Sequence, residues 1–213
     1  MVPAVQLNKV TKTIKNRKIL SDINLTIDYG KVVGIVGHNG SGKSILFRLI
    51  SGLVKPTIGE IIVHGETLHK KASFASNTSF ILEKPGFLEQ YSGFDNLKFL
   101  ADIKRKINSE QIGNTIKRVG LDPEDRKPVK TYSLGMKQKL AIAQAIMEQP
   151  ELILLDEPMN GLDEDSVEQM YNIIREENQR GATILISSHH KIDIETLCQQ
   201  VYKVNAGTIS ELS

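Results

Sequence analysis

Apolar and polar positions alternate near both ends of the chain and merge into unbroken apolar runs in its interior. Val5, Leu7 and Val10 form one alternating set. Ile23, Leu25 and Ile27 form another after the turn Lys15-Asn16-Arg17-Lys18, which is the pattern of half-buried strands. Residues 32–36 (VVGIV) are a short apolar run of the kind that fills a strand buried on both faces. Residues 45–50 read as a helix ending near Gly52, and residues 60–63 and 79–82 as further strands with Gly65 as a turn between them. From Phe94 to Met147 the spacing becomes helical. Ser109 is a plausible N-cap, its helix ends at Gly120, and Asp122-Pro123 breaks the chain. Leu140, Ile142, Ala143 and Ile146 give a mainly apolar helix that stops before Pro150. Alternation of strand and helix then returns: a strand at 152–155, a helix at about 165–179, Gly181, a strand at 183–187, and a tail alternating through Val201-Tyr202-Lys203-Val204 to a turn at Gly207. The pattern predicts an α/β core with antiparallel β structure at its N-terminal side and a helical block inserted at about residues 86–147, all within one domain spanning 1–213.

Composition narrows this only a little. A chain of 213 residues can bury a real core. The net charge of +2, with both signs scattered throughout, argues for neither a nucleic-acid partner nor an anionic membrane surface. The basic stretch from Lys12 to Lys18 reads as a solvated hairpin turn. The single Cys198 excludes an internal disulfide, suits a reducing cytosol, and lies in a helical apolar stretch where a core role outweighs a nucleophilic one. No run approaches eighteen consecutive apolar residues, so direct membrane insertion is not expected and a membrane role requires a partner.

The chemistry is concentrated in a few segments. Gly37-His38-Asn39-Gly40-Ser41-Gly42-Lys43-Ser44 is a complete G-x-x-x-x-G-K-S loop between a strand and a helix. Its glycines let backbone N–H groups turn inward, and the helix N-terminus adds partial positive charge, so the segment forms a cradle for phosphates. Lys43 supplies a charge for the β- and γ-phosphates of a nucleoside triphosphate, and Ser44 a hydroxyl for Mg²⁺. A second segment, Leu152-Ile153-Leu154-Leu155-Asp156-Glu157, is a buried strand ending in two carboxylates. Beside such a loop, Asp156 can hold Mg²⁺ through water and Glu157 can polarise an attacking water. Taken alone, the same strand would simply end in solvated acids.

With these segments in place, the chain resembles the ATP-binding-cassette (ABC) ATPases. Tyr132-Ser133-Leu134-Gly135-Met136-Lys137-Gln138 is similar to their signature motif, Asn160-Gly161-Leu162-Asp163 to their D-loop, and Ser187-Ser188-His189 to the segment carrying their switch histidine. The order and spacing match from residue 5 to the C-terminus. The resemblance implies a phosphate-loop fold with a mixed central sheet, flanking helices, an N-terminal antiparallel β subdomain and an inserted helical subdomain. It also implies a head-to-tail pair of ATPase subunits, identical or different, with ATP and Mg²⁺ between them. Ser133 and Gly135 would then face the partner's γ-phosphate, His189 would contact the γ-phosphate in cis, and Asp163 would lie at the interface of the pair.

Four positions depart from the family pattern. Ile14 stands where an aromatic ring usually stacks on adenine. Ile45 replaces a second hydroxyl after the loop lysine, and Met136 replaces the usual signature Gln. Glu83, within Phe80-Ile81-Leu82-Glu83-Lys84-Pro85-Gly86-Phe87, occupies the place of the Q-loop Gln and offers an added carboxylate to Mg²⁺. This last form resembles bacterial ATPases serving antibiotic and antimicrobial-peptide efflux or immunity. Phe87, Tyr91, Phe94 and Phe99 crowd the following stretch. Phe87 and Tyr91 suit a surface for a membrane subunit's helix, whereas Phe94 and Phe99 suit the helical block's own core equally well. The resemblance implies the cytoplasmic ATPase subunit of an ABC transporter, an exporter, held at the inner face of the membrane by separate integral permease subunits. A cytosolic ABC ATPase without a membrane partner is the alternative.

Overall fold

A computed structural model describes residues 2–70, 74–82 and 86–212. Two sheets organise the chain. The first is four-stranded, in the order β2-β1-β4-β5, from β1 (Val5–Ile14), β2 (Arg17–Ile27), β4 (Ile58–Val63) and β5 (Glu66–Thr67). Its pairings are antiparallel. The second is six-stranded, in the order β10-β9-β3-β8-β7-β6, from β3 (Val32–Val36), β6 (Thr78–Ile81), β7 (Leu152–Asp156), β8 (Thr183–Ser187), β9 (Gln200–Asn205) and β10 (Thr208–Leu212). All its pairings are parallel except that of β10 with β9.

The central strands are apolar because both faces are covered. Successive side chains of a strand point to opposite faces, and the two faces feed two separate cores. Val33, Ile35, Leu152, Leu154 and Leu185 join one core with the antiparallel sheet and with Leu46, Phe47, Leu49 and Ile50 of α1 (Lys43–Ile50). Val32, Ile153, Leu155, Ile184 and Ile186 join the other with the remaining helices. Those helices are α2 (Gly93–Lys104), α3 (Ser109–Arg118), α4 (Leu134–Ile146), α5 (Glu164–Gln179) and α6 (Lys191–Leu197).

α2, α3 and α4 lie between β6 and β7 in the chain and are anchored to α5. Arg118 at the end of α3 reaches Glu177 at 3.0 Å and Glu176 at 2.8 Å, and Arg180 closes on Glu177 at 2.8 Å. The Glu177 carboxylate is buried, so its two guanidinium partners offset a desolvation cost that a lone acid would leave uncompensated.

Several expectations shift in detail. The α3 cap is Asn108 rather than Ser109, because Gln111 stands three residues beyond Asn108 and completes a reciprocal capping box. β5 is a two-residue strand that no periodicity could announce. Cys198 is not within a helix but closes α6 in an extended conformation, and burial pushes its thiol pKa up to about 12, with the Asp193 charge adding to the shift. Phe87 and Phe94 pack against the helical core, whereas Tyr91 and Phe99 remain exposed and meet edge to face at 5.0 Å. Among the described residues, no helix is long and apolar enough to cross a membrane.

Phe47 is fully buried where α1 meets the sheet and the antiparallel strands. Phe47→Ala should cost about 3–5 kcal/mol, the usual cost of emptying an aromatic site in a core. Urea unfolding would measure this, and a loss below about 1 kcal/mol would mean that α1 is not packed as described.

Candidate active site

Three parallel strands bring the site together. Ile35 of β3 is level with Ser187 of β8, and Ser187 is level with Asp156 of β7. The segments leaving these strand ends therefore emerge side by side: the glycine loop after β3, Glu157 after β7, and Ser188-His189 after β8.

The loop wraps around its own lysine. Lys43, almost fully buried, donates from Nζ to the Gly37 carbonyl at 2.7 Å and to the His38 carbonyl at 3.4 Å. Among the described residues, Ser41 Oγ is buried without a hydrogen-bond partner. Inward-facing donors without better acceptors suit an anion, since an unmet buried polar group costs about 1–3 kcal/mol. The His38 ring is instead engaged with the Asn39 carbonyl at 2.9 Å. α1 starts directly from the loop, with Gly42 as its N-cap at φ +114°.

The acidic side is held by one hydroxyl. Ser187, fully buried, donates from Oγ to Asp156 Oδ1 and accepts the Glu157 N–H at 3.1 Å. The same N–H also reaches the Ser187 carbonyl at 3.2 Å. Glu157 has φ +54°, a left-handed conformation that costs a non-glycine residue about 1–2 kcal/mol. That strain turns the chain sharply at the strand end. The Glu157 carboxylate then takes two bonds from His189, one from ring Nδ1 at 2.8 Å and one from the backbone N–H at 3.3 Å. A carboxylate partner fixes the proton on Nδ1, so a neutral ring carries its free lone pair on Nε2.

These groups border a cleft of about 920 Å³ lined by Ile14, Asn39, Gly40, Gly42, Lys43, Ser44, Ile45, Asp156 and Glu157. That volume accommodates a nucleotide. Nine residues singled out in the sequence thus meet at one place. Gly37, His38 and Ser41 belong to the loop but are not among the lining residues, and His189 meets the cleft through its contact with Glu157. Ser133, Gly135 and Asp163 are not among its walls. Ser133 caps α4 by accepting the Met136 N–H at 3.1 Å, and a Cβ on Gly135 would lie 2.9 Å from the Gly161 carbonyl. Asp163 caps α5, where bonds from the Ser166 side chain and then its N–H lower the carboxyl pKa. Glu83 lies outside the described residues.

The structure adds residues to which the sequence reading gave no place of their own in the site. Lys15, Arg17 and Ile19 line the cleft beside Ile14, so the basic hairpin is exposed as expected and also forms a wall of the site. Leu134, Gln138 and Asn160 also line the cleft, and Gln138 donates to the Pro158 carbonyl at 2.8 Å, gripping the chain just past Glu157. The available signals were polar residues in apolar settings: Gln138 within a mostly buried helix, and Ser187 closing the wholly buried β8.

Two glycines separate loop geometry from simple flexibility. At Gly37 (φ +152°) an added Cβ would fall 2.3 Å from the Val204 carbonyl, whereas at Gly40 (φ +77°) it would meet nothing within 4 Å. Gly40→Ala should cost only the left-handed penalty of about 1–2 kcal/mol. Gly37→Ala should lower the melting temperature further, because a backbone carbonyl cannot move aside. Equal melting of the two variants in a thermal scan would contradict this account of the loop.

Comparison with known proteins agrees with the geometry. Residues 20–160 match the family model described as ABC transporter. The chain is 44% identical over 205 residues to YybJ of Bacillus subtilis (strain 168), an uncharacterized ABC transporter ATP-binding protein, covering 96% of this chain and 94% of that one. It is 36% identical over 213 residues to the bacitracin transport ATP-binding protein BcrA of Bacillus licheniformis, covering 99% of this chain and 70% of that one. A solved structure of an ATP-binding subunit of an ABC transporter superposes with a TM-score of 0.90 at 25% identity, covering 99% of this chain and 90% of that one. The chain belongs to the ABC transporter family and is one of its ATP-binding ATPases.

Proposed function

We propose that this chain is the ATP-hydrolysing subunit of an exporter, working in a pair of ATPase subunits that drive separate integral permease subunits from the cytoplasmic face of the membrane. The observation that carries the reading is the Glu157–His189 contact at 2.8 Å, one residue past Asp156 and in the same cleft as Lys43. The transport of bacitracin named for one relative supports an exporter of antibiotic-like cargo.

ATP would enter with its phosphates over the glycine loop. Lys43 would leave the Gly37 and His38 carbonyls for the β- and γ-phosphates, and Ser41 would gain the partner it lacks. The base would rest on Ile14 between Lys15 and Arg17, without an aromatic stack. Mg²⁺ would neutralise charge building on the phosphates. The donor set fits that ion: Ser44 and Asp156 share the cleft, and among the described residues Asp156 makes no side-chain hydrogen bond other than that with Ser187. A hard cation that keeps several waters needs only one or two such protein oxygens. Glu83 offers a further carboxylate, on sequence grounds alone.

Glu157 would accept the proton of the attacking water, and His189 would hold that carboxylate and sense the γ-phosphate. The partner subunit's Ser133 and Gly135 would close the site from the other side. Ser133 is exposed at the start of α4 and, unlike its neighbour Leu134, does not line the cleft of its own chain, which leaves it open to a partner. Asp163 would lie where the pair meets.

Glu157→Gln should slow ATP hydrolysis by about 10²–10⁴-fold, the usual contribution of a general base, while ATP binding persists and an ATP-bound pair accumulates. Lys43→Ala should instead lose ATP binding itself. Steady-state hydrolysis, nucleotide titration and size-exclusion chromatography with ATP read these out, and near-normal turnover by Glu157→Gln would remove the base assignment. The permease arm is tested separately by affinity purification from detergent-solubilised membranes. The expected companion is a chain with several apolar spans of about twenty residues each, and its absence would favour an ATPase without a membrane partner.

A further inference from the structure

Behind His189 lies a buried polar chain that the reaction outlined above does not use. Tyr171 of α5 donates from its hydroxyl to Asp193 Oδ1 at 2.5 Å, and Ser188 donates from Oγ to Asp193 Oδ2 at 2.5 Å. Ser188 Oγ in turn accepts the His190 N–H at 3.0 Å. Tyr171, Ser188 and Asp193 are 5%, 4% and 3% exposed. Their seclusion is what makes the arrangement informative, because a buried carboxylate is costly unless its oxygens are satisfied.

Asp193 has no ion-pair partner among the described residues. The nearby Arg175 guanidinium stacks over the Tyr171 ring at 5.9 Å instead of pairing with the acid. Nor does Asp193 serve as a cap. It stands in the first turn of α6, but α6 has no side-chain cap bond, and both Asp193 oxygens are taken by hydroxyls from outside that helix. The Ser188 hydroxyl therefore bonds to Asp193 on one side and to the His190 N–H on the other, which brackets the residue between them. That residue is His189, whose ring and backbone N–H both bind Glu157.

We propose that Tyr171, Asp193 and Ser188 form a positioning relay that fixes the backbone of His189 and through it the Glu157 carboxylate. This rests on the role given to His189 and Glu157 above. None of the three lines the cleft. They set the angle at which the histidine meets the acid, so their loss lowers the rate of the chemical step and leaves ATP affinity alone.

The test is steady-state MgATP hydrolysis by the full chain carrying Tyr171→Phe, Asp193→Asn or His189→Ala, together with the double variant Tyr171→Phe/His189→Ala. Tyr171→Phe removes one oxygen from a site that keeps its ring, so its melting temperature checks that the fold is intact. The relay predicts that Tyr171→Phe and Asp193→Asn each lower kcat by about five- to twentyfold with KM for ATP within about twofold, a moderate share of a general base's 10²–10⁴. It also predicts that Tyr171→Phe adds nothing once His189 is gone, because residues acting as one unit are not additive. A full kcat in both single variants, with His189→Ala impaired, would overturn the relay and leave the histidine's role standing. Multiplying losses in the double variant would do the same. A fully active His189→Ala would overturn both.

Discussion

The site depends on the register of three parallel strands. Ile35, Ser187 and Asp156 lie in one row across β3, β8 and β7, so the phosphate loop, the histidine segment and the acid pair leave the sheet at the same level. A slip of one residue in β8 would turn Ser187 to the opposite face. Asp156 would lose its hydroxyl and the Glu157 N–H one of its acceptors. The register is held by burial: Leu152 to Leu155 and Thr183 to Ile186 are covered on both faces, each face by a separate core.

That rigidity allows unfavourable local features to accumulate at one edge. Glu157 holds a left-handed conformation, Lys43 folds back on carbonyls of its own loop, and among the described residues Ser41 keeps an unmet hydroxyl and Asp193 is buried without a cation. The Glu157 backbone and the Ser41 hydroxyl each cost on the order of 1–3 kcal/mol, which is large beside a typical net stability of about 5–15 kcal/mol. The apolar layers on both sides of the sheet supply the surplus that keeps them in place. Lys43 lines the cleft, and its ammonium and the nearby Ser41 hydroxyl are the donors that an anion there would engage.

Contiguous chemistry was legible in the sequence. Gly37 to Ser44 and the Asp156-Glu157 strand end each carry their meaning within eight residues, and the apolar runs of β3, β7 and β8 were readable to within a residue. What escaped was chemistry assembled from afar. Ser187 acts on residues about thirty positions earlier, and Asp193 joins Tyr171 across twenty-two. Strand register and helix packing make those contacts, and no local spacing encodes them. The choice of Asn108 over Ser109 turned on a Gln three residues along, and the edge-to-face pairing of the exposed Phe99 with Tyr91 spans eight residues. Ser133, Gly135 and Asp163 entered through family resemblance alone, and the walls of the single chain's cleft do not include them.

The most direct measurement is a crystal structure of the protein with a slowly hydrolysed ATP analogue. The account predicts the triphosphate over Gly37 to Ser44, with Lys43 Nζ moved from the Gly37 carbonyl to the phosphates. It also predicts Glu157, still bonded to His189, facing the γ-phosphate. A nucleotide bound elsewhere, or a Lys43 that stays on Gly37 while the analogue occupies the cleft, would contradict it.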